Sequence, residues 1–329
     1  MTAYSLLDLV PIVQGGSAAQ ALANAADLAR HAESLGFTRY WVAEHHGMEG
    51  IASAATAVVI AHVGAATSTI RIGSGGIMLP NHAPLQVAEQ FGTLDALFPG
   101  RVDLGLGRAP GSDQRVAAAI RRGYGGDGNE FPQDVAELQS YFADDGRTGI
   151  RATPGAGADV RIWILGSSLF GAQLAAAMGL PYAFASHFAP GLLDDAIAVY
   201  RRNFRPSAVL DKPYLALGFN VFAADSDDEA EFLASSQQQA FVAIRTTGRG
   251  IQLPPPVQGY RESLGAHGNA MLDQVLSASA IGGLDTVRNQ LGAFVARTGA
   301  DELILTSAMF DHAARKKSLK IAADAMRSL

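Results

Sequence analysis

The run Ala43-Glu44-His45-His46 sets a carboxylate beside two imidazoles at the end of a short apolar segment. A neutral imidazole with an adjacent carboxylate can move protons near neutral pH. His45 is therefore a candidate acid–base group, with Glu44 to orient it; hydrogen-bonded structural histidines are the competing reading. No metal centre is expected, because no third ligand stands at a familiar spacing and no His-Glu-x-x-His helix is present.

Three further clusters have the chemistry to hold a ligand. Gly73-Ser74-Gly75-Gly76 places three glycines in four positions, which weakens a strand. Either the backbone there takes a conformation closed to other residues, or a flat ligand packs on it, or the strand bulges. Arg108 has small neighbours, and its guanidinium can grip a phosphate through two hydrogen bonds; an ordinary surface arginine is the alternative. Gly166-Ser167-Ser168 opens a helical segment, where unpaired amides, the helix dipole and two hydroxyls favour an anion. Its plain alternative is a serine N-cap. Neither the Gly-Lys-Ser/Thr of a P-loop nor a Gly-x-Gly-x-x-Gly after the first strand occurs.

What positions these clusters is a repeating unit, a short apolar run followed by a segment of helical period. Strands are expected over 4–10, 38–43, 70–76, 101–107, 161–165, 182–185, 214–222 and 302–306. Ser53 is the expected N-cap of a helix over 53–66, Pro84 opens another over 84–97, and a further one covers 167–178. Eight strand-then-helix units without a hairpin signal predict a parallel sheet closed as a single-domain (β/α)8 TIM barrel over 1–329. An open doubly wound sheet is the runner-up. The candidate residues then all emerge at the C-terminal ends of strands, where barrel active sites are built. Two stretches interrupt the cycle, 123–159 after the fourth strand and 246–269 in the C-terminal third. Each is either a lid over that face or an ordinary surface loop.

Composition narrows the function classes. Apolar residues make up 48% and charged residues 17% of the 329, which is globular. A net charge of −6 is poor footing for nucleic acid or an anionic membrane. With no cysteine, thiolate nucleophiles, disulfides and cysteine-held metals are impossible. The N-terminus lacks a signal-peptide pattern and no segment reaches the ~20 apolar residues of a spanning helix, so a cytoplasmic location is expected.

The segments WVAEHHGMEGIAS (41–53), IRIGSGGIMLPNHAPLQVAEQFGTLDALFPGRVDLGLGRAPG (70–111), ILGSSLFGAQLAAAMGLPYAFASHF (164–188) and IGGLDTVRNQLGAFVARTGADELILTS (281–307) resemble the luciferase-like flavin monooxygenases. The resemblance implies a TIM-type barrel that uses FMN, or in some branches a deazaflavin. It matches His45 to the histidine beside the reacting flavin edge. Gly75 and Gly76 match the place where a non-proline cis peptide supports the isoalloxazine ring, and Arg108, Ser167 and Ser168 match phosphate-binding positions, with Gly166 leaving room. Light-emitting members tend to carry cysteine where this chain has Gly107 and an acidic residue where it has Ser167. A luminescent role is therefore not expected.

The implied activity is monooxygenation of a small, largely apolar substrate by reduced FMN and O2 through a flavin C4a-peroxide, with the reduced flavin supplied by a separate reductase. Leu7, Leu9 and Leu106 are expected to form the dry wall. The alternatives are a deazaflavin-dependent hydride-transfer enzyme and a catalytically silent flavin-binding protein; the presence of both His45 and Arg108 disfavours the latter. Alanine-rich helices over 53–66 and 84–97 are the expected contact of a homodimer.

Overall fold

The computed structural model describes residues 2–109, 114–120 and 129–329. Among these residues nine strands run β1 (Ala3–Asp8), β2 (Arg39–Val42), β3 (Arg71–Met78), β4 (Val102–Gly107), β5 (Arg161–Gly166), β6 (Tyr182–Phe184), β7 (Leu215–Ala223), β8 (Ser279–Gly282) and β9 (Glu302–Thr306). Eight of them pair in parallel in the order β6-β5-β4-β3-β2-β1-β9-β7, and β6 pairs with β7 to close the ring. The chain is a (β/α)8 TIM barrel. The helices are α1 (Ala18–Ser34), α2 (Thr56–Ala65), α3 (Pro84–Leu97), α4 (Gln114–Ile120), α5 (Phe131–Ala143) and α6 (Leu169–Met178). They continue with α7 (Leu193–Asn203), α8 (Asp227–Thr247), α9 (Tyr260–Ser263), α10 (Ala266–Val275), α11 (Leu284–Thr298) and α12 (His312–Arg327).

Several elements differ from expectation. β8 pairs only with the C-terminal half of β7, outside the ring; its Ser-Ala-Ile-Gly is too short to show a period. Ser53 does not cap α2. Its hydroxyl donates to the carbonyls of Ala43 at 2.6 Å and Leu9 at 3.1 Å, and the helix starts three residues later. The helix after β5 starts at Leu169, so Ser167 stays in the connection. β1 stops at Asp8, because Val10 turns into the left-handed region at φ 52°. A β-branched residue is held there at a cost of about 1–3 kcal/mol. Val10 N–H donates to Asp8 Oδ1 at 2.8 Å, and Val10 O accepts from Ala52 N–H at 3.1 Å.

The interior is layered. At the N-terminal mouth, Arg39 donates to Asp103 at 2.6 Å and to Glu302 at 2.7 Å, while Arg71 reaches Asp103 at 2.7 Å. Two guanidinium groups thus offset two buried carboxylates, the arrangement that makes such charges tolerable inside a fold. Above them Leu7, Trp41, Trp163, Ala183, Ala216 and Ile304 plug the middle of the ring. The indoles of Trp41 and Trp163 meet edge to face at 5.1 Å. Alternation along β4 sends Val102, Leu104 and Leu106 outward into the core under the helices. Leu106 therefore does not form the dry wall assigned to it from sequence. The C-terminal end is left hollow.

Candidate functional site

That hollow is a cavity of about 850 Å3 ringed by the ends of the barrel strands, within the range of cofactor and small-molecule sites. His45, Gly75, Gly76, Arg108, Gly166, Ser167 and Ser168 all line it. Seven residues read from separate parts of the sequence are brought together. Of the candidate catalytic and cofactor-binding residues, Glu44 is the one not in the lining.

Glu44 is buried at 1% exposure. Its carboxylate is bonded to Nε2 of His46 at 2.8 Å and Nε2 of His82 at 2.9 Å, and it accepts from the Met78 amide at 2.9 Å. Burial opposes its charge, but the bonds from His82, Met78 and His46 outweigh this and hold its pKa below the ordinary carboxylate value. Glu44 thus ties the end of β2 to the connection after β3. A third group that can ligate a metal is present after all: Glu44, His46 and His82 set their ligand atoms within 4.8 Å of one another. Only folding reveals it, since His82 lies 38 positions from Glu44.

On β3 the peptide bond Gly75–Gly76 is cis, and the register against β4 shifts between Gly75 and Ile77. The bulge is there. A Cβ added at Gly75 would lie 2.8 Å from Leu7 Cδ1 and 3.0 Å from the Trp41 ring; one at Gly76 would lie 2.7 Å from Gly105 O. Both glycines are required by close approach to the barrel interior and to β4, and the backbone itself forms the cavity surface at this point.

Arg108, just past β4, is exposed, with its guanidinium 4.1 Å from the centre of the Phe170 ring. Phe170 sits in the first turn of α6, so this cation–π contact steers the charge to that helix end. Ser168 is the N-cap by position, but its side chain makes no capping bond. A Cβ on Gly166 would meet only the Ser168 amide, at 4.0 Å. An anion here would find uncommitted amides, two hydroxyls and one guanidinium.

Sequence reasoning missed the wall formed after β6, by β7 and by α8. His187 after β6, Asn220 on β7, and Phe241 and Ile244 on α8 all face the cavity. Burial pushes the His187 imidazole down to a pKa of about 4, and the nearby His45 adds to the shift. Arg315 of α12 also lines the cavity and is paired with buried Asp8 at 2.7 Å. A lone histidine in Ser-His-Phe carries no spacing signal, and only the closure of β6 onto β7 brings it to the site. The second interruption contributes Gly250, Ile251 and Leu253 to the lining, and Leu253 exchanges backbone bonds with Ile12 and Gln14 at 2.9 and 2.8 Å. Asn129 and Phe131 line the cavity from the first; 123–128 lie outside the described residues.

Residues 6–302 match the family model described as luciferase-like monooxygenase. A luciferase-like monooxygenase of Escherichia coli (strain K12) is 52% identical over 99% of this chain and 98% of its own. An N-acetyl-S-alkylcysteine monooxygenase of Bacillus subtilis (strain 168) is 34% identical over 77% of each chain. Among solved structures, apo-MsnO8 superposes with a TM-score of 0.88 at 32% identity, over 99% of each chain. Fold likeness alone extends to the oxygenating constituent of the Pseudomonas putida 3,6-diketocamphane monooxygenase in complex with FMN (TM-score 0.70, 19% identity, 98% and 96% covered). It also extends to an F420-dependent secondary alcohol dehydrogenase (0.73, 16%, 99% of each). With the family model spanning nearly the whole barrel and close relatives matching end to end, the chain belongs to the luciferase-like monooxygenases and is a flavin-dependent enzyme of that family.

Proposed function

We propose that the chain uses FMN, received in reduced form from a separate reductase, and O2 to oxygenate a small, largely apolar organic molecule. The observation that carries this reading is the division of one cavity into a polar end and an apolar body. Arg108, Ser167, Ser168 and the open start of α6 suit a phosphate dianion. Bare backbone at Gly75 and Gly76 suits a flat ring, and Leu7, Leu9, Phe131, Phe241 and Ile251 keep the rest dry. The reduced flavin supplies the electrons that activate O2. The residues of the chain do the remainder: Arg108 and the serines anchor the phosphate, the apolar wall excludes water, and the His45 imidazole holds or moves a proton at the cavity. Glu44 secures the segment that carries His45 through its bonds to His46 and His82. The missing dinucleotide fingerprint supports a separate reductase.

The test is to mix the chain with chemically reduced FMN and 18O2 over a panel of thioethers and ketones. Product carrying one 18O atom supports the reading. Turnover with a reduced deazaflavin and no O2 uptake would replace it by hydride transfer, and no turnover with either would leave a silent flavin binder. Among the described residues no helix is long and apolar enough to cross a membrane. We place the enzyme in the cytoplasm as a homodimer that uses the outer faces of α2 and α3, where Val58 and Leu97 are 69% and 59% exposed. Sedimentation equilibrium decides this, and a monomer would overturn it.

A further inference from the structure

His187 is a half-buried imidazole whose chemistry the proposed roles leave unused. Its Nδ1 is closed off from solvent and has no hydrogen-bond partner. The reason is close packing on β7, since a Cβ on Gly218 would stand 2.0 Å from that atom. The main chain is fixed as well, because Asn220 Nδ2 donates to His187 O at 2.8 Å. The residue is nonetheless part of the cavity lining. With Nδ1 sealed against Gly218, the edge left to meet a ligand carries Nε2.

The tautomer follows. A neutral imidazole has one N–H and one bare nitrogen. An orphaned buried donor is rarer and costlier than an orphaned acceptor, so the bare nitrogen belongs at Nδ1 and the proton at Nε2. Burial, with His45 near it, keeps the ring neutral. The cavity wall after β6, close to His45, thus presents an uncharged N–H donor amid Phe188, Phe241 and Ile244.

We infer that His187 is a specificity-determining residue whose Nε2–H selects substrates with a hydrogen-bond acceptor, such as a carbonyl oxygen, over pure hydrocarbons of equal shape. This rests on the proposed function for the assignment of that wall to substrate. A donor facing an apolar ligand loses its partner in water and gains none, whereas a carbonyl replaces it. Asn220 and Gly218 act through His187 as positioning residues.

The experiment compares binding of cyclohexanone and its isostere methylenecyclohexane by NMR titration, in the wild type, His187→Gln and His187→Phe. Each protein is measured with saturating oxidised FMN and again without it. The ratio of the two affinities cancels shape and most of the desolvation difference. The wild type and His187→Gln, which keeps an N–H, should share one ratio, and His187→Phe should shift it about tenfold towards the hydrocarbon, the worth of roughly one hydrogen bond. Equal ratios in all three proteins would overturn the inference. Independently, 15N NMR of the wild type from pH 5 to 8 should show a neutral Nε2–H tautomer throughout. A titration near 6.5 or an Nδ1–H tautomer would overturn it without recourse to any variant. If the chain fails to bind FMN, the proposed function falls, and the ratio without FMN still decides this inference.

Discussion

Glu44 at the end of β2 and His82 beyond β3 are joined at 2.9 Å, and the same carboxylate holds His46 at 2.8 Å. This buried link fixes the segment that carries His45. Glu44→Gln keeps the shape but loses the charge, leaving the imidazole donors with a weaker acceptor. It should destabilise the fold by about 1–3 kcal/mol, read as a lowered thermal midpoint, while FMN affinity changes little. A large loss of FMN affinity at an unchanged midpoint would place Glu44 at the cofactor instead.

Gly75→Val is a packing test. The added side chain would enter the space of Leu7 and Trp41, whose atoms stand 2.8 and 3.0 Å from the new Cβ. Overpacking of this kind typically costs about 1–3 kcal/mol. From sequence alone the same change is expected to block a flat ligand and leave the barrel intact; the structure adds a clash with Leu7 and Trp41 in the core. Chemical denaturation decides, and a variant of wild-type stability would contradict the packing account.

The legibility of the sequence divides along the same line. Strand ends that carry several unusual residues together, as in Glu44-His45-His46, Gly75-Gly76 and Gly166-Ser167-Ser168, announce themselves through residue type and position after an apolar run. The eight barrel strands are legible because each is a compact β-rich run before a helical period. What is lost depends on partners distant in the chain. His82 reaches Glu44 only through the pairing of β2 with β3, and His187 reaches the cavity only through the packing of β6 against β7. Leu106 faces the helices instead of the cavity, and period-2 alternation tells only that neighbours face opposite ways, not which face is inside. Ser53 looked like a cap, and only the geometry of β1 and β2 shows its hydroxyl taken by Leu9 and Ala43.

His45→Ala separates proton chemistry from packing. The proposed phosphate contacts lie at the ends of β4 and β5, so FMN affinity should be retained. Turnover should fall about 10²–10⁴-fold, the usual worth of a positioned acid–base group. Normal turnover per folded molecule with a lowered thermal midpoint would make His45 a structural residue.

Acid should destabilise the fold through His187. Its pKa is about 4 in the folded chain, against about 6.5 when exposed. Between those values the unfolded chain binds a proton that the folded chain refuses, so stability falls as pH drops from about 6.5 to about 4 and this contribution then levels off. Glu44 and Asp8, both held below their ordinary values, add their losses at lower pH. His187→Phe should flatten the upper part of the acid limb in urea melts across pH 4–7. An unchanged slope there would mean that the ring titrates normally in the folded protein.

The central claim is that the barrel mouth holds FMN by its phosphate, between Arg108 and the start of α6. Parallel titrations of FMN and riboflavin into the wild type and Arg108→Ala test it, because the two ligands differ only in that phosphate. The wild type should bind FMN at least about tenfold more tightly than riboflavin, a difference of one charge-assisted contact or more. Arg108→Ala should lose most of that advantage while its affinity for riboflavin stays the same. Equal affinity for both ligands in the wild type, or an equal loss for both in the variant, would contradict the account.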